Sequence, residues 1–195
     1  MTFALLRRAD HAEMPWLNGG GSTLEVARAP RTGDFDWRVS FAHVDRSGPF
    51  SAYPGVDRVI TLVEGPGMRL TIRPHAATGS PGSGRVVHDL APCEPYAFAG
   101  EDEIDCQVTQ PTVDLNLMTR RDRCRGTVTT HRLDGGRLEI DPADATLVAV
   151  LTGRLHAGSG TTATPLGPLD VLADLTAPVT LTGDGVAALI QVSPG

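Results

Sequence analysis

The chain lacks the signatures of the commoner catalytic chemistries. Its six histidines, His11, His43, His75, His88, His131 and His156, show no H-x-H or H-x-x-x-H spacing. A zinc or iron site in a small β-barrel normally takes that spacing, completed by a carboxylate or a further imidazole. No metal and no cofactor is therefore expected, and spatial clustering of scattered ligands is the one route left to a metal site. There is no G-x-S-x-G, and no cysteine has a neighbourhood that lowers a thiol pKa, so nucleophilic catalysis has no visible basis. Gly19-Gly20-Gly21-Ser22-Thr23 lacks the lysine and the preceding buried strand of a phosphate loop. Cys93, Cys106 and Cys124 form no C-x-x-C pair and leave an odd thiol in any pairing, which fits a reducing, cytoplasmic setting. No run of basic residues tracks a phosphate backbone, and the net charge is -6 with a pI near 5.4, so neither nucleic acid nor an anionic membrane is expected as a partner. The N-terminus places its apolar residues before Arg7-Arg8, the reverse of a signal peptide, and no long apolar segment follows. Neither export nor a membrane span is expected.

A sustained helical period is also missing. With 22 Gly and 15 Pro the chain is cut into short segments, and most of it reads as strand and turn. Hydrophobic residues at 41% and charged residues at 21% are ordinary for a globular protein, and 195 residues suffice for one sizeable core or two small ones. Trp37 to Val44 alternates Trp37/Val39/Phe41 with Arg38/Ser40/Ala42. Val59 to Val63 leads through Glu64-Gly65-Pro66-Gly67 into Met68 to Ile72, which predicts a β-hairpin. Further strands are predicted at 86–87, 96–98, 104–108, 113–118, 137–140, 147–151, 171–172, 179–181 and 187–192, and a single helical turn at Asp10 to Met14, ended by Pro15.

A weak repeat organises these strands. Val59 to Gly65, Pro95 to Gly100 and Ile104 to Val108 are followed in the same order by Leu147 to Gly153, Pro178 to Gly183 and Ala188 to Val192. The last member carries Gln-Val both times. Two packed β-barrels or sandwiches of similar design would give this order, although any all-β chain offers Gly-ended strands.

Trp16-Leu17-Asn18-Gly19-Gly20-Gly21 combines an amphipathic ring, an amide and a backbone free to take positive φ. These are parts from which a small polar ligand can be cradled. Arg38 and Ser40 share one face of their strand, Asp114 and Asn116 share one face of theirs, and Arg58 opens a strongly apolar strand. Converging on one cavity, such residues suit a carboxylate: the guanidinium binds it bidentately, and Ser and Asn add neutral hydrogen bonds. The competing reading makes Trp37/Val39/Phe41 the core face and leaves Arg38 and Ser40 in water, with Trp16 as packing and Asn18-Gly19 as a tight turn.

Residues 16–26 (Trp16 to Val26), Trp37 to Val44, Gly48-Pro49-Phe50-Ser51, Pro54 to Arg58 and Asp114 to Arg120 together resemble the motifs of the HutD/Ves family, in that family's order. Residues 121 to 195 resemble it only in general character. The resemblance implies an all-β, bicupin-like unit over 1–195, with approximate sub-barrels 16–120 and 121–195 between which strands are free to exchange, and without the metal-binding histidines of enzymatic cupins. It implies a bacterial protein tied to histidine utilisation that binds a small acidic metabolite such as urocanate or formylglutamate and is regulatory rather than catalytic. The ligand-binding residues expected from the matching motifs are Trp16, Asn18, Gly19, Gly20, Arg38, Ser40, Arg58 and Asn116. Phe50-Ser51 and Met118 read equally well as packing, with Gly48-Pro49 shaping the approach loop. A homodimer is compatible with this reading. Two rivals remain: a metal-independent enzyme on a small carboxylic acid with His43 or Glu25 as base, and an interaction module of stress response with Trp16 and Phe50 as an exposed anchor.

Overall fold

The computed structural model describes residues 2–16, 19–75, 84–159 and 162–195. In chain order the strands are β1 (Ala4–Leu6), β2 (Ala12–Pro15), β3 (Gly21–Ala29), β4 (Trp37–Val44), β5 (Gly48–Pro49), β6 (Val56–Glu64), β7 (Met68–Arg73) and β8 (Val86–Leu90). They continue as β9 (Pro95–Ala99), β10 (Glu103–Val108), β11 (Thr112–Arg120), β12 (Cys124–Ile140), β13 (Leu147–Ser159), β14 (Thr162–Leu166), β15 (Val171–Ala173) and β16 (Val179–Pro194). The described residues contain no α-helix, only a short 3₁₀ turn at Arg8–Asp10. The chain divides into two compact units, a larger one of Ala12–Gly126 with Pro194–Gly195 and a smaller one of Met1–His11 with Thr127–Ser193.

The larger unit is a sandwich of two antiparallel sheets, ordered β2-β3-β4-β11-β6-β9 and β5-β10-β7-β8. Among the described residues no ladder closes them into a barrel. In the four-stranded sheet the sequence alternates by period two: Met68, Leu70 and Ile72 of β7 and Ile104 and Cys106 of β10 are buried, while Arg69, Arg73, Glu103 and Asp105 face water. The inward residues meet Val44, Ile60 and Leu62 of the other sheet to form the core of this unit. The central strands of the six-stranded sheet are buried on both faces. On β11, Val113, Leu115 and Leu117 point one way and Asp114, Asn116 and Met118 the other, and all six are at most 6% exposed. This settles the ambiguity of the Trp37–Val44 strand: the Arg38/Ser40 face is inside, and Ser40 is fully buried.

Two expectations from the sequence are corrected. β6 and β7 do not form a hairpin, because β6 is already paired on one edge with β11 and on the other with β9, and β7 lies in the opposite sheet between β10 and β8. The Gly65–Gly67 turn carries the chain from one sheet to the other, and Gly65, at φ +113°, packs so tightly on Thr112 that a Cβ would come within 2.5 Å of its methyl. The predicted helical turn at Asp10 to Met14 is instead the 3₁₀ turn followed by β2, an edge strand whose residues Ala12 and Met14 pair with Glu25 and Thr23. An edge position tolerates Pro15, which has no N–H to offer a neighbour.

The smaller unit is one sheet ordered β1-β15-β13-β16-β12, with β14 paired to β13. Its core includes Val148, Val150, Leu155, Ala157, Leu181 and Leu189. The inward parity of β13 changes between Val150 and Leu155 because a bulge between Val150 and Thr152 adds a residue. Here the strands run close: a Cβ on Gly153, itself at φ +80°, would lie 2.2 Å from the Asp184 carbonyl oxygen. The segments 179–181 and 187–192, read separately from the sequence, are therefore one long strand. Asp170, at 7% exposure, ties the N-terminal segment to this unit by an ion pair with Arg7 at 2.8 Å and by accepting from the Arg8 and Gly167 amides.

In the larger unit the segment between β5 and β6 is fixed by Gly100. The Tyr53 amide donates to Gly100 O and the Gly100 amide donates to Val56 O, both at 2.7 Å, and a Cβ on Gly100 would lie 2.4 Å from Tyr53 O. Glu101 next to it accepts from the Gly55 amide and receives both Nη groups of Arg121 at 3.0 Å. Gly100→Ala is expected to cost about 1–3 kcal/mol through overpacking, read as a lower midpoint at unchanged slope in urea unfolding.

Candidate functional site

The cross-strand register of β4, β11 and β6 builds the site. Antiparallel partners project to the same side, so Arg38, Met118 and Arg58 form one row, Ser40, Asn116 and Ile60 the next, and Ala42, Asp114 and Leu62 the third. Thr23 on β3 and Phe98 on β9 extend the third and first rows, opposite Ala42 and Arg58 respectively. This face opens into a cavity of about 410 Å³, within the range of small-molecule sites. Its polar lining is Thr23, Arg38, Ser51, Arg58, Asp114 and Asn116, and its apolar walls come from Met14, Trp16, Ala42, Phe50 and Tyr53, with Pro15 and Pro49 at the edges.

Arg58 is the best-held of these groups. Its guanidinium lies 5.0 Å from the ring centre of Phe98, 5.3 Å from Phe50 and 5.7 Å from Tyr53, and its Nε donates a long 3.4 Å hydrogen bond to Asn116 Oδ1. Three aromatic faces supply a cation with quadrupole attraction. Burial pushes the Arg58 pKa down to about 10, against the opposing pull of Asp114; the side chain is still a cation at neutral pH. No carboxylate among the described residues forms an ion pair with it. Arg38 sits at the other end of the same row, over the ring of Phe35 at 5.3 Å, its Nη2 donating to Met118 Sδ at 3.2 Å and its buried Nε without a hydrogen-bond partner among the described residues.

Asp114 is the single acid in the lining. At 2% exposure its carboxyl has no hydrogen-bond or ion-pair partner among the described residues. Burial pushes its pKa up to about 7, with Arg58 pulling the other way. Two buried groups of opposite charge thus face one cavity without touching.

Four of the residues expected from the sequence, Trp16, Arg38, Arg58 and Asn116, line this cavity. Ser40 lies on the same face between Arg38 and Ala42, its hydroxyl buried and without a hydrogen-bond partner among the described residues. Gly19 and Gly20 are outside the lining and act as turn residues: Gly19 takes φ +65° and its amide donates to Trp16 O at 3.0 Å, while Gly20 O accepts from the Asp45 and Arg46 amides. Asn18 lies outside the described residues. Trp16 is half-buried against the core, its indole N–H bonded to Thr23 Oγ1 at 2.8 Å, and Phe50 also packs on the core, so they do not form an exposed anchor. Of the two candidate bases, neither lines the cavity: Glu25, paired with Ser40 on β4 and Ala12 on β2, is outside the lining, and His43 points from the opposite face of β4. Tyr53 and Phe98 carry no sequence signal, being brought to Arg58 by the Gly100 contact and by the β6–β9 register. Asp114 is legible as the face-mate of Asn116, though not as a partnerless acid.

The described residues hold no cluster of three or more His, Cys, Asp or Glu side chains placed for a metal ion. The donor set of the cavity, two guanidiniums and one carboxylate, suits an anion rather than a divalent cation. No helix of the described residues is long and apolar enough to cross a membrane.

The sandwich and its second β unit define a cupin-like protein of the two-unit, bicupin class. The fold superposes on oxalate decarboxylase from Lactobacillus farciminis with a TM-score of 0.63 over 96% of this chain and 85% of that one, at 10% identity. The chain belongs to the HutD family, whose model matches residues 8–189. It is similar to HutD from Pseudomonas fluorescens SBW25, with a TM-score of 0.80 and 31% identity covering 99% of each chain. It is 39% identical over 139 residues to protein Ves of Cronobacter sakazakii, spanning 65% of this chain and 71% of that protein. It is also 37% identical over 124 residues to an uncharacterized 21.2 kDa protein in the hutC 3' region of Pseudomonas putida, spanning 62% of this chain and 60% of that protein.

The raised Asp114 pKa makes stability depend on pH. An acid whose folded pKa lies above its unfolded value favours the folded state below the unfolded value, near 4, and loses that contribution as pH rises to about 7. Asp114→Asn removes the titration, so the melting temperature of the variant minus that of the wild type should be more positive at pH 8 than at pH 5. A difference independent of pH would contradict the buried, partnerless carboxyl.

Proposed function

We propose that this protein binds a small carboxylic acid without turning it over, and that binding serves a regulatory role in histidine utilisation. The observation that carries this reading is Arg58: a buried guanidinium caged by three rings, without a carboxylate partner, opening with Arg38 onto one cavity. The geometry fits a carboxylate held by Arg58, a second polar group within reach of Arg38, a planar body against Trp16 and Phe50, and polar atoms met by Asn116 and Ser51. The link to histidine utilisation is supported by membership of the HutD family and by the relative in the hutC 3' region. Urocanate and formylglutamate, acids of that pathway, are the first ligands to test.

Thermal unfolding against these two acids, histidine and glutamate tests the reading. A ligand at ~100-fold excess over its Kd raises apparent stability by about 2.7 kcal/mol. Arg58→Lys keeps the charge and loses the fork, and Arg38→Ala loses one donor set; each should weaken binding about tenfold or more, since hydrogen bonds to charged groups contribute ~1.5–3 kcal/mol. Stabilisation by none of the acids, or affinity unchanged in both variants, would overturn the reading. An enzymatic role has one observation in its favour, the Asp114 pKa near 7, which suits an acid–base group at neutral pH. Conversion of a bound acid, followed by proton NMR, would establish turnover and replace the binding-only role.

A further inference from the structure

The cavity holds an asymmetry that a plain carboxylate site does not need. Donors are plentiful: the two guanidiniums, the Asn116 amide and the hydroxyls of Ser51 and Tyr53 all reach it. Apart from the hydroxyls, which accept as well as donate, acceptors are scarce. Asn116 Oδ1 is already engaged by Arg58 Nε, and the one strong acceptor is the Asp114 carboxylate. A buried carboxylate with no partner is costly, and so is a buried guanidinium with only one long hydrogen bond. The two groups attract each other through space but share no hydrogen bond or ion-pair contact, although their side chains open onto the same cavity.

The geometry separates them by a definite span. Arg58 pairs with Met118 on β11 but leans one row inward, so that its Nε meets Asn116. Asp114 is two residues further along β11 on the same face, about 7 Å by strand rise. A ligand carboxylate on Arg58 therefore leaves Asp114 facing a part of the same molecule several bonds away. Ionised, Asp114 repels an acceptor there, whereas an N–H satisfies it with a charge-assisted hydrogen bond and favours the ionised form.

We propose that Asp114 is a specificity-determining residue: the cavity selects acids that carry, about 5–7 Å from the carboxylate, a nitrogen that donates a hydrogen bond, such as an imidazole or amide N–H. The inference rests on the acidic-metabolite reading and narrows it. With Arg38 and Arg58 as cations and Asp114 as an anion, a monoanion bearing a neutral N–H also leaves the three charged side chains and their ligand close to neutral.

Matched pairs differing only by N–H against O test it by isothermal titration calorimetry on the full chain. One pair is imidazole-4-acrylate and 3-(1,3-oxazol-4-yl)acrylate; the other is N-formylglutamate and 2-formyloxyglutarate. In the wild type at least one N–H member should bind at least tenfold tighter than its oxygen analogue. In Asp114→Asn that gap should fall below about threefold, mainly through loss of affinity for the N–H member, because the amide is a weaker, neutral acceptor. Equal affinity of both members of each binding pair in the wild type overturns the inference and leaves the acid-binding reading standing. That comparison needs no variant, so it holds even if Asp114→Asn fails to fold. A gap that persists unchanged in a folded Asp114→Asn also overturns it. Binding of none of the four acids removes the acid-binding reading and the inference together.

Discussion

The burial of Arg58 constrains the rest of the site. A guanidinium at 8% exposure without a carboxylate in contact among the described residues has to be sustained by other means, and here three aromatic rings and one carboxamide oxygen supply them, with Asp114 attracting through space. The rings depend on two parts of the larger unit. Phe98 is delivered by β-pairing opposite Arg58, whereas Phe50 and Tyr53 come from the segment that Gly100 and the Glu101–Arg121 clamp hold down. The site is therefore a property of two sheets and one loop together. Local disturbance of that loop should be felt at the cation.

The chemistry on offer follows from residue choice as much as from position. All 17 basic residues of the chain are arginines. An ammonium at position 58 would be a compact, strongly hydrated charge, poorly suited to stacking on three ring faces. A guanidinium keeps its planar fork while its faces are covered, and so can present N–H groups to a carboxylate from a largely apolar wall. Asp114 is the counterweight. Burial raises its carboxyl to about 7, against the pull of Arg58.

Much of this architecture was legible in the residues. The alternation of Met68, Leu70 and Ile72 marks a half-buried strand, and the run from Asp114 to Met118 places Asp114 and Asn116 on one face. What period-two reasoning lacked was knowledge of whether the second face of β4 is covered, so the residue types alone favoured Arg38 and Ser40 in water. Pairing partners were illegible for a related reason. Val59 to Ile72 has the sequence of a hairpin, yet the edges of β6 are taken by β11 and β9, whose affinity for it is a non-local fact. The ring cage was hidden because Phe50, Tyr53 and Phe98 are distant in sequence and carry no motif with Arg58. The motif resemblance reached Trp16, Arg38, Arg58 and Asn116, which line the cavity, and also Gly19 and Gly20, which shape the turn beside Trp16.

The most direct test of a caged, ligand-receiving arginine is to watch that side chain. Arginine Nε–H resonances can be followed by ¹⁵N-edited NMR, and the Arg58 signal can be assigned by its loss in Arg58→Lys. On titration with imidazole-4-acrylate or N-formylglutamate, the account predicts that the Arg58 resonance shifts saturably with one of them while those of the exposed Arg69 and Arg73 stay fixed. An Arg58 signal that stays put while either acid binds, or shifts no larger than those of the exposed arginines, would contradict it.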